Sequence, residues 1–198
     1  MPKSIRNVTA PNLPTTPVQY DQRFFDQLIN ILRLFFNTVT NRLNSPQPYG
    51  SFFDTTTQTN PVANAVNPMR LNNTLTSAGI YVGSPQSRIY VTETGAYNIQ
   101  FSVQADKSGG SADSLYIWLR KNGVDVAYSA SKVVVNGPTS EIIPAWNFLV
   151  ALEGGDYVEL VWSSADVNMV LAAYAASAPV PTVPSVIITV TWVSNLPV

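Results

Sequence analysis

The sequence predicts an all-β protein: an antiparallel sandwich carried behind an extended arm and a single amphipathic α-helix. Three observations lead there. Beyond residue 69 apolar side chains recur at every second position, in short runs divided by Gly, Pro, Asn and Asp, as half-buried strands require. No stretch alternates strand with helix, which argues against a parallel α/β fold. Only residues 21–44 follow a helical period, and residues 1–20 follow none.

Composition narrows the function classes. A chain of 198 residues suits one compact domain with an appendage. Charged residues make up 12%, where about 25% is usual, and Thr, Ser, Asn, Gln and Pro are abundant, so the surface is polar but weakly charged. Net charge is -1, divided unevenly. Lys3, Arg6, Arg23, Arg33 and Arg42 outnumber Asp21 and Asp26 in the first fifty residues, leaving an acidic remainder. Lys and Arg are too scattered for a nucleic-acid groove. With no cysteine and no histidine, the chain lacks disulfides, thiolate nucleophiles, the common zinc sites and histidine acid/base chemistry. The stretch Met1–Arg6 has no apolar core, so no secretory signal is visible. The greasiest run, Phe24 to Phe36, is broken by Asp26, Gln27, Asn30 and Arg33, and no membrane insertion is expected.

The elements follow in order. Residues 1–20 hold Pro2, Pro11, Pro14 and Pro17 with few large apolar groups, and are expected to be an extended arm. Asp21 can cap a helix over residues 21–44, in which Phe25, Leu28, Leu32, Phe35 and Val39 fall alternately three and four apart. Phe24, Ile29, Ile31 and Phe36 widen that stripe beyond a narrow dimeric seam. Leaving these side chains in water would forfeit on the order of 10 kcal/mol, an upper bound, so the helix must pack on its own head, on copies of itself or on another protein. Phe24, Phe25, Leu28, Leu32, Phe35 and Phe36 are the expected anchoring residues. Asn44-Ser45-Pro46 stops the helix, and residues 45–68, rich in Thr, Asn and Gln, read as a linker to a head over residues 69–198.

Within the head, Tyr97, Ile99, Phe101, Val103 and Ala105 alternate with Asn98, Gln100, Ser102 and Gln104, the clearest strand in the chain. Leu115, Ile117 and Leu119 alternate with Tyr116, Trp118 and Arg120, and Asn122-Gly123 supplies a tight hairpin turn. Residues 157–162 and 186–193 read the same way. Weaker strands fall near residues 79–82, 87–91, 130–135, 146–152 and 169–174, which makes nine or ten in all, as a sandwich needs.

Four segments in order carry a resemblance: Gly95-Ala96-Tyr97-Asn98-Ile99-Gln100-Phe101, Leu119-Arg120-Lys121-Asn122-Gly123, the run from Leu152 to Leu160 with Gly154-Gly155-Asp156 at its centre, and Ser185-Val186-Ile187-Ile188-Thr189-Val190. Their order and spacing over residues 69–194 resemble the tumour-necrosis-factor and complement globular-head jelly-roll family. The resemblance implies an all-β, antiparallel jelly-roll sandwich that forms a homotrimer, one sheet of each protomer packing about the three-fold axis. Tyr97, Phe101, Tyr157 and Leu160 are the residues assigned to that trimer interface. Thr191-Trp192-Val193 departs from the Phe and Gly common near the family's last strand. The arm, with Pro11-Asn12-Leu13-Pro14 and Pro17-Val18-Gln19-Tyr20 ahead of the helix, is similar to leader segments of small phage virion proteins.

Catalytic and ligand chemistry is sparsely represented. Asp106, Asp113, Glu153, Asp156 and Glu159 are the carboxylates available for a sugar-hydrolysing pair, and each reads better as a turn or surface group. Ser lacks a histidine base, and the paired glycines Gly109-Gly110 and Gly154-Gly155 sit in turns rather than opening a helix. Asp106, Ser108, Asp113 and Asp125 could crowd one end as a calcium site, without ligand spacing at alternate positions. Trp118, Trp146, Trp162 and Trp192 with the nine tyrosines could form a sugar-binding platform, but most read better as packing in the core or at the trimer axis, with Tyr128 and Tyr174 the expected exposed aromatics. No enzyme activity, cofactor or metal is expected. The expected role is a virion structural protein: a capsid decoration or cement protein of a bacteriophage, made in the host cytoplasm and held on the outer surface of the capsid. Its arm would contact the major capsid protein or other virion proteins. The alternative is the receptor-binding tip of a short head or tail fibre recognising a host surface glycan or protein.

Overall fold

A computed structural model describes residues 10–44, 47–137 and 140–196. Residues 1–9 of the expected arm and Ser45-Pro46 lie outside the described residues. The chain divides into two units, Met1–Pro46 and Gln47–Val198.

In the first unit, residues 10–17 form neither helix nor strand, and α1 spans Gln22–Leu43. Asp21 caps it as the sequence predicts. Its Oδ1 accepts the Arg23 amide at 2.9 Å, meeting one of the donors that a first helical turn leaves open.

The second unit is an antiparallel, jelly-roll-like β-sandwich. Its strands are β1 (Tyr49–Asp54), β2 (Gln58–Thr59), β3 (Asn67–Pro68), β4 (Asn73–Ala78), β5 (Ile80–Val82), β6 (Ile89–Val91), β7 (Gly95–Val103) and β8 (Ala105–Lys107). They continue with β9 (Asp113–Lys121), β10 (Val124–Asp125), β11 (Ser131–Val135), β12 (Ser140–Ile142), β13 (Ala145–Leu152), β14 (Tyr157–Ser164), β15 (Met169–Leu171) and β16 (Val186–Ser194). One layer is a five-stranded sheet in the order β13-β7-β16-β1-β4. The other is a seven-stranded sheet built on β10-β9-β14-β6-β5, with β11 beside β9 and β3 beside β14. A short four-stranded sheet, β12-β8-β15-β2, continues three lines of the first: β8 follows β7, β12 precedes β13, and β2 follows β1.

Alternation decides what is buried. On β7, Tyr97, Ile99, Phe101 and Val103 are almost wholly covered, and in register beside them lie Val190, Ile188 and Val186 of β16. Leu115, Ile117 and Leu119 of β9 and Val158, Leu160 and Trp162 of β14 meet them from the opposite layer in one core. The Asn122-Gly123 turn forms as read from sequence, with φ of 50° and 83°, values that Asn and Gly tolerate. It also holds a second turn. Asn122 Nδ2 donates to Asp156 Oδ1 at 2.7 Å, and the Tyr157 amide donates to Asn122 Oδ1 at 2.9 Å.

The linker expectation needs correction. Residues 49–68 belong to the head, because β1 lies between β16 and β4 and sends Phe52 into the core with no exposed area. Gly50 makes room for it, since a Cβ there would meet the Phe52 ring at 2.5 Å. The amides that suggested a linker are structural. Gln58 Nε2 donates to the Arg70 carbonyl while its Oε1 accepts the Arg70 amide, and Asn60 Nδ2 donates to the carbonyls of Ser164 and Asp166. Buried amide side chains here take the place of sheet hydrogen bonds.

Candidate assembly surface

The five-stranded sheet turns one face to the core and the other away, and the outer face is nearly free of charge. β4, β7, β13 and β16 contain no Asp, Glu, Lys or Arg, and the single carboxylate of β1, Asp54, is buried. Because side chains alternate, Asn98, Gln100 and Ser102 of β7 stand beside Leu149, Asn147 and Ala145 of β13. On the other side the same three residues face Thr191, Thr189 and Ile187 of β16. Asn147 Nδ2 donates to Asn98 Oδ1 at 3.0 Å, and Thr189 Oγ1 lies 3.5 Å from Ser51 Oγ. Leu149 and Leu75 leave 70% and 72% of their area exposed, and Ile187 leaves 41%. An apolar groove of about 230 Å³ runs between Phe53, Leu75, Pro184 and Ile187. The seven-stranded sheet is different, carrying Asp113, Arg120, Lys121, Asp125 and Lys132 outside the core.

Depletion of charged side chains is one mark of an interface core. Five strands about 4.8 Å apart and up to nine residues long present on the order of 600 Å². That approaches the roughly 800 Å² per partner of a standard interface.

The helix is the second unsatisfied surface. Phe25, Ile29, Leu34 and Phe36 leave 41%, 61%, 57% and 60% exposed, whereas Phe24, Leu28, Leu32 and Phe35 are half-buried. Tyr20 stacks on Phe25 with ring centroids 5.3 Å apart, extending the apolar surface past the cap.

None of the four residues assigned to a trimer interface lies on this face. Tyr97, Phe101 and Leu160 are 0%, 5% and 2% exposed, inside the protomer's own core, because they occupy the inward parity of β7 and β14. Phe101 meets Trp146 edge-on at 4.7 Å. Tyr157 is half-buried on the outer face of the seven-stranded sheet, 5.3 Å from Tyr90. The outward residues between them, Asn98, Gln100 and Ser102, were the ones to weigh; their polarity reads as ordinary solvation, and only the missing charge marks them.

The remaining candidates separate. Asp125 cannot join Asp113 at a cation site, because Asp113 opens β9 and Asp125 pairs with Arg120 near its far end. Asp125 instead accepts from Trp118 Nε1 at 2.8 Å and Arg120 Nε at 2.9 Å, and these hydrogen bonds lower its pKa. Asp106 lies beside Glu141 in register, and both accept at 3.2 Å from Tyr174 Oη. Burial, reinforced by the two carboxylates, pushes that phenol up to about 12. Glu159 is buried and accepts from Ser87 Oγ at 2.6 Å. Trp146, Trp162 and Trp192 pack in or against the core as expected, and Tyr128 is fully exposed.

Two ion pairs lock loops and set the acid response. Lys107, with no exposed area, holds Asp166 at 2.6 Å, and Lys121 holds Asp156 at 2.8 Å. The Lys107 bond, with the Asn168 amide, lowers the Asp166 pKa. For Asp156, burial raises the pKa, but hydrogen bonds from Lys121, the Glu153 amide and Asn122 outweigh it and the net shift is downward. Both folded-state values lie below the unfolded 3.8, so the unfolded chain takes up protons first. This stability is present above the ordinary carboxylate range and is lost as pH falls through it. The melting temperature is expected to fall on acidification below about pH 4, and Asp156→Asn with Asp166→Asn should flatten that fall.

No family model and no curated protein matches the chain. Among solved structures, the globular domain of zebrafish complement 1qA protein is similar at 12% identity with a TM-score of 0.49, over 76% of this chain and 100% of that one.

Proposed function

We propose that this protein is a non-enzymatic structural component of a bacteriophage particle, a trimeric decoration protein on the outer surface of the capsid. The observation that carries the reading is the charge-free outer face of the five-stranded sheet, against which two further copies of the same chain can pack without burying a charge. Like surfaces associate without repulsion when neither bears charge, and the amide and hydroxyl groups can hydrogen-bond across the contact. The resemblance that the four sequence motifs carry implies three copies rather than two.

The helix supplies the second contact. Its exposed Phe25, Ile29 and Phe36 fall on one side of the helix and form an apolar surface that another virion protein, the major capsid protein foremost, would cover. Stabilisation then comes from added contact area, since anything that binds the assembled shell in preference to its separated parts raises the work of pulling it apart. No catalytic step is needed.

Deleting residues 1–44 tests the division of labour. The truncated chain is expected to stay folded, because the core lies within residues 47–198, yet to fail to cosediment with particles stripped of the protein. Truncated protein that still decorates particles would contradict the anchoring role.

A further inference from the structure

Three tyrosines cross the outer face of the seven-stranded sheet in one row. Tyr81 of β5 and Tyr157 of β14 are both direct cross-strand partners of Tyr90 on β6. Their chain neighbours Ile80, Ile89, Val91 and Val158 fill the core, so all three rings stand on the opposite side. Tyr81 and Tyr90 stack within 10° of parallel at 5.4 Å, and Tyr157 follows at 5.3 Å. The row ends on Arg88, whose guanidinium lies 4.5 Å over the Tyr157 ring. Gly83 is fitted to it: a Cβ there would sit 2.4 Å from Tyr90 Cε2.

Simple packing leaves two features unexplained. Tyr81, at the head of the row, keeps 51% of its area in water although its ring is already aligned. Arg88 does not close on the buried Glu159: Nε stays 3.8 Å from Oε1 and, among the described residues, makes no hydrogen bond. The Arg88 side chain is 35% exposed, so its terminal nitrogens, rather than the buried Nε, can meet a ligand, and at the end of an aromatic row tipped with hydroxyls they suit one rich in hydroxyl groups and with an apolar face. Arg88 and Glu159 offset each other's charge, which selects no anion. Asn122 and Gly123 border the row beside Tyr157, a polar margin at that end.

We propose that Tyr81, Tyr90, Tyr157 and Arg88 form a binding site for a neutral oligosaccharide, one sugar's C–H face lying on the side of the Tyr81 ring turned away from Tyr90 and the hydroxyls of the next units along the row accepting from Arg88. The site does not depend on the assembly reading above. Saturation-transfer NMR on the full chain with maltotriose, cellotriose, N-acetylchitotriose and lactose provides the test. At least one sugar is expected to receive saturation. Tyr81→Ala and Arg88→Gln should each weaken that binding about tenfold or more, Tyr81→Trp should retain it, and Tyr128→Ala, at an exposed tyrosine elsewhere, should leave it unchanged. Unchanged melting of Tyr81→Ala separates lost binding from lost fold, and Arg88→Gln gives a second reading if that variant unfolds. Saturation of none of the four sugars, or binding by both Tyr81→Ala and Arg88→Gln equal to the parent's, overturns the proposal.

Discussion

Phe101→Asp is expected to abolish the folded head. Phe101 is 5% exposed, meets Trp146 edge-on and stacks with Phe148 at 6.0 Å, so substitution removes an aromatic anchor shared by β7 and β13. Losing a buried Phe alone costs about 3–5 kcal/mol. An unpaired carboxylate in the same position adds several more, against a total stability of about 5–15 kcal/mol for a domain. Circular dichroism and thermal melting should show a chain without a cooperative transition. A melting temperature equal to the parent's would mean that Phe101 does not face the core.

Gln100→Lys combined with Leu149→Lys should have an equally large effect on assembly and almost none on folding. Both residues lie on the outward parity of the five-stranded sheet, one strand apart, and neither contributes to the core. In a trimer closed through this face each copy would bring two ammonium groups into a contact with no counter-charge, and like-charge juxtaposition there costs several kcal/mol. Light scattering is expected to report protomers whose circular dichroism matches the parent's. A double variant that remains trimeric would place the interface elsewhere.

Much of the sandwich is legible in the sequence because a buried strand with one wet face must alternate. The run over residues 95–105 shows both faces, the Asn122-Gly123 turn can be read from its backbone angles alone, and Asp21 marks the helix start. What escapes notice is structural for reasons that leave little trace in a linear pattern. β1 carries a single fully buried aromatic, Phe52, beside a glycine that accommodates it, and β4 is an edge strand with no buried residue. Gln58 and Asn60 resemble linker residues until their amides are seen bridging the ends of the sheets.

The proposed assembly surface is less legible. Large aromatic residues on a clear strand invite assignment to an interface, but the same alternation that reveals the strand commits Tyr97 and Phe101 to the protomer's interior. The outward face is made of the intervening small and amide residues, whose distinguishing property is an absence of charge. The tyrosine row is hidden for a related reason. Tyr81, Tyr90 and Tyr157 are far apart in sequence, and only the register of β5, β6 and β14 sets them side by side.

The mass of the intact chain in solution at micromolar concentration, by light scattering or mass photometry, bears most directly on the proposed assembly. Three times the protomer mass is the expected result. A stable single protomer at that concentration would leave the uncharged face without a partner and contradict the trimeric head.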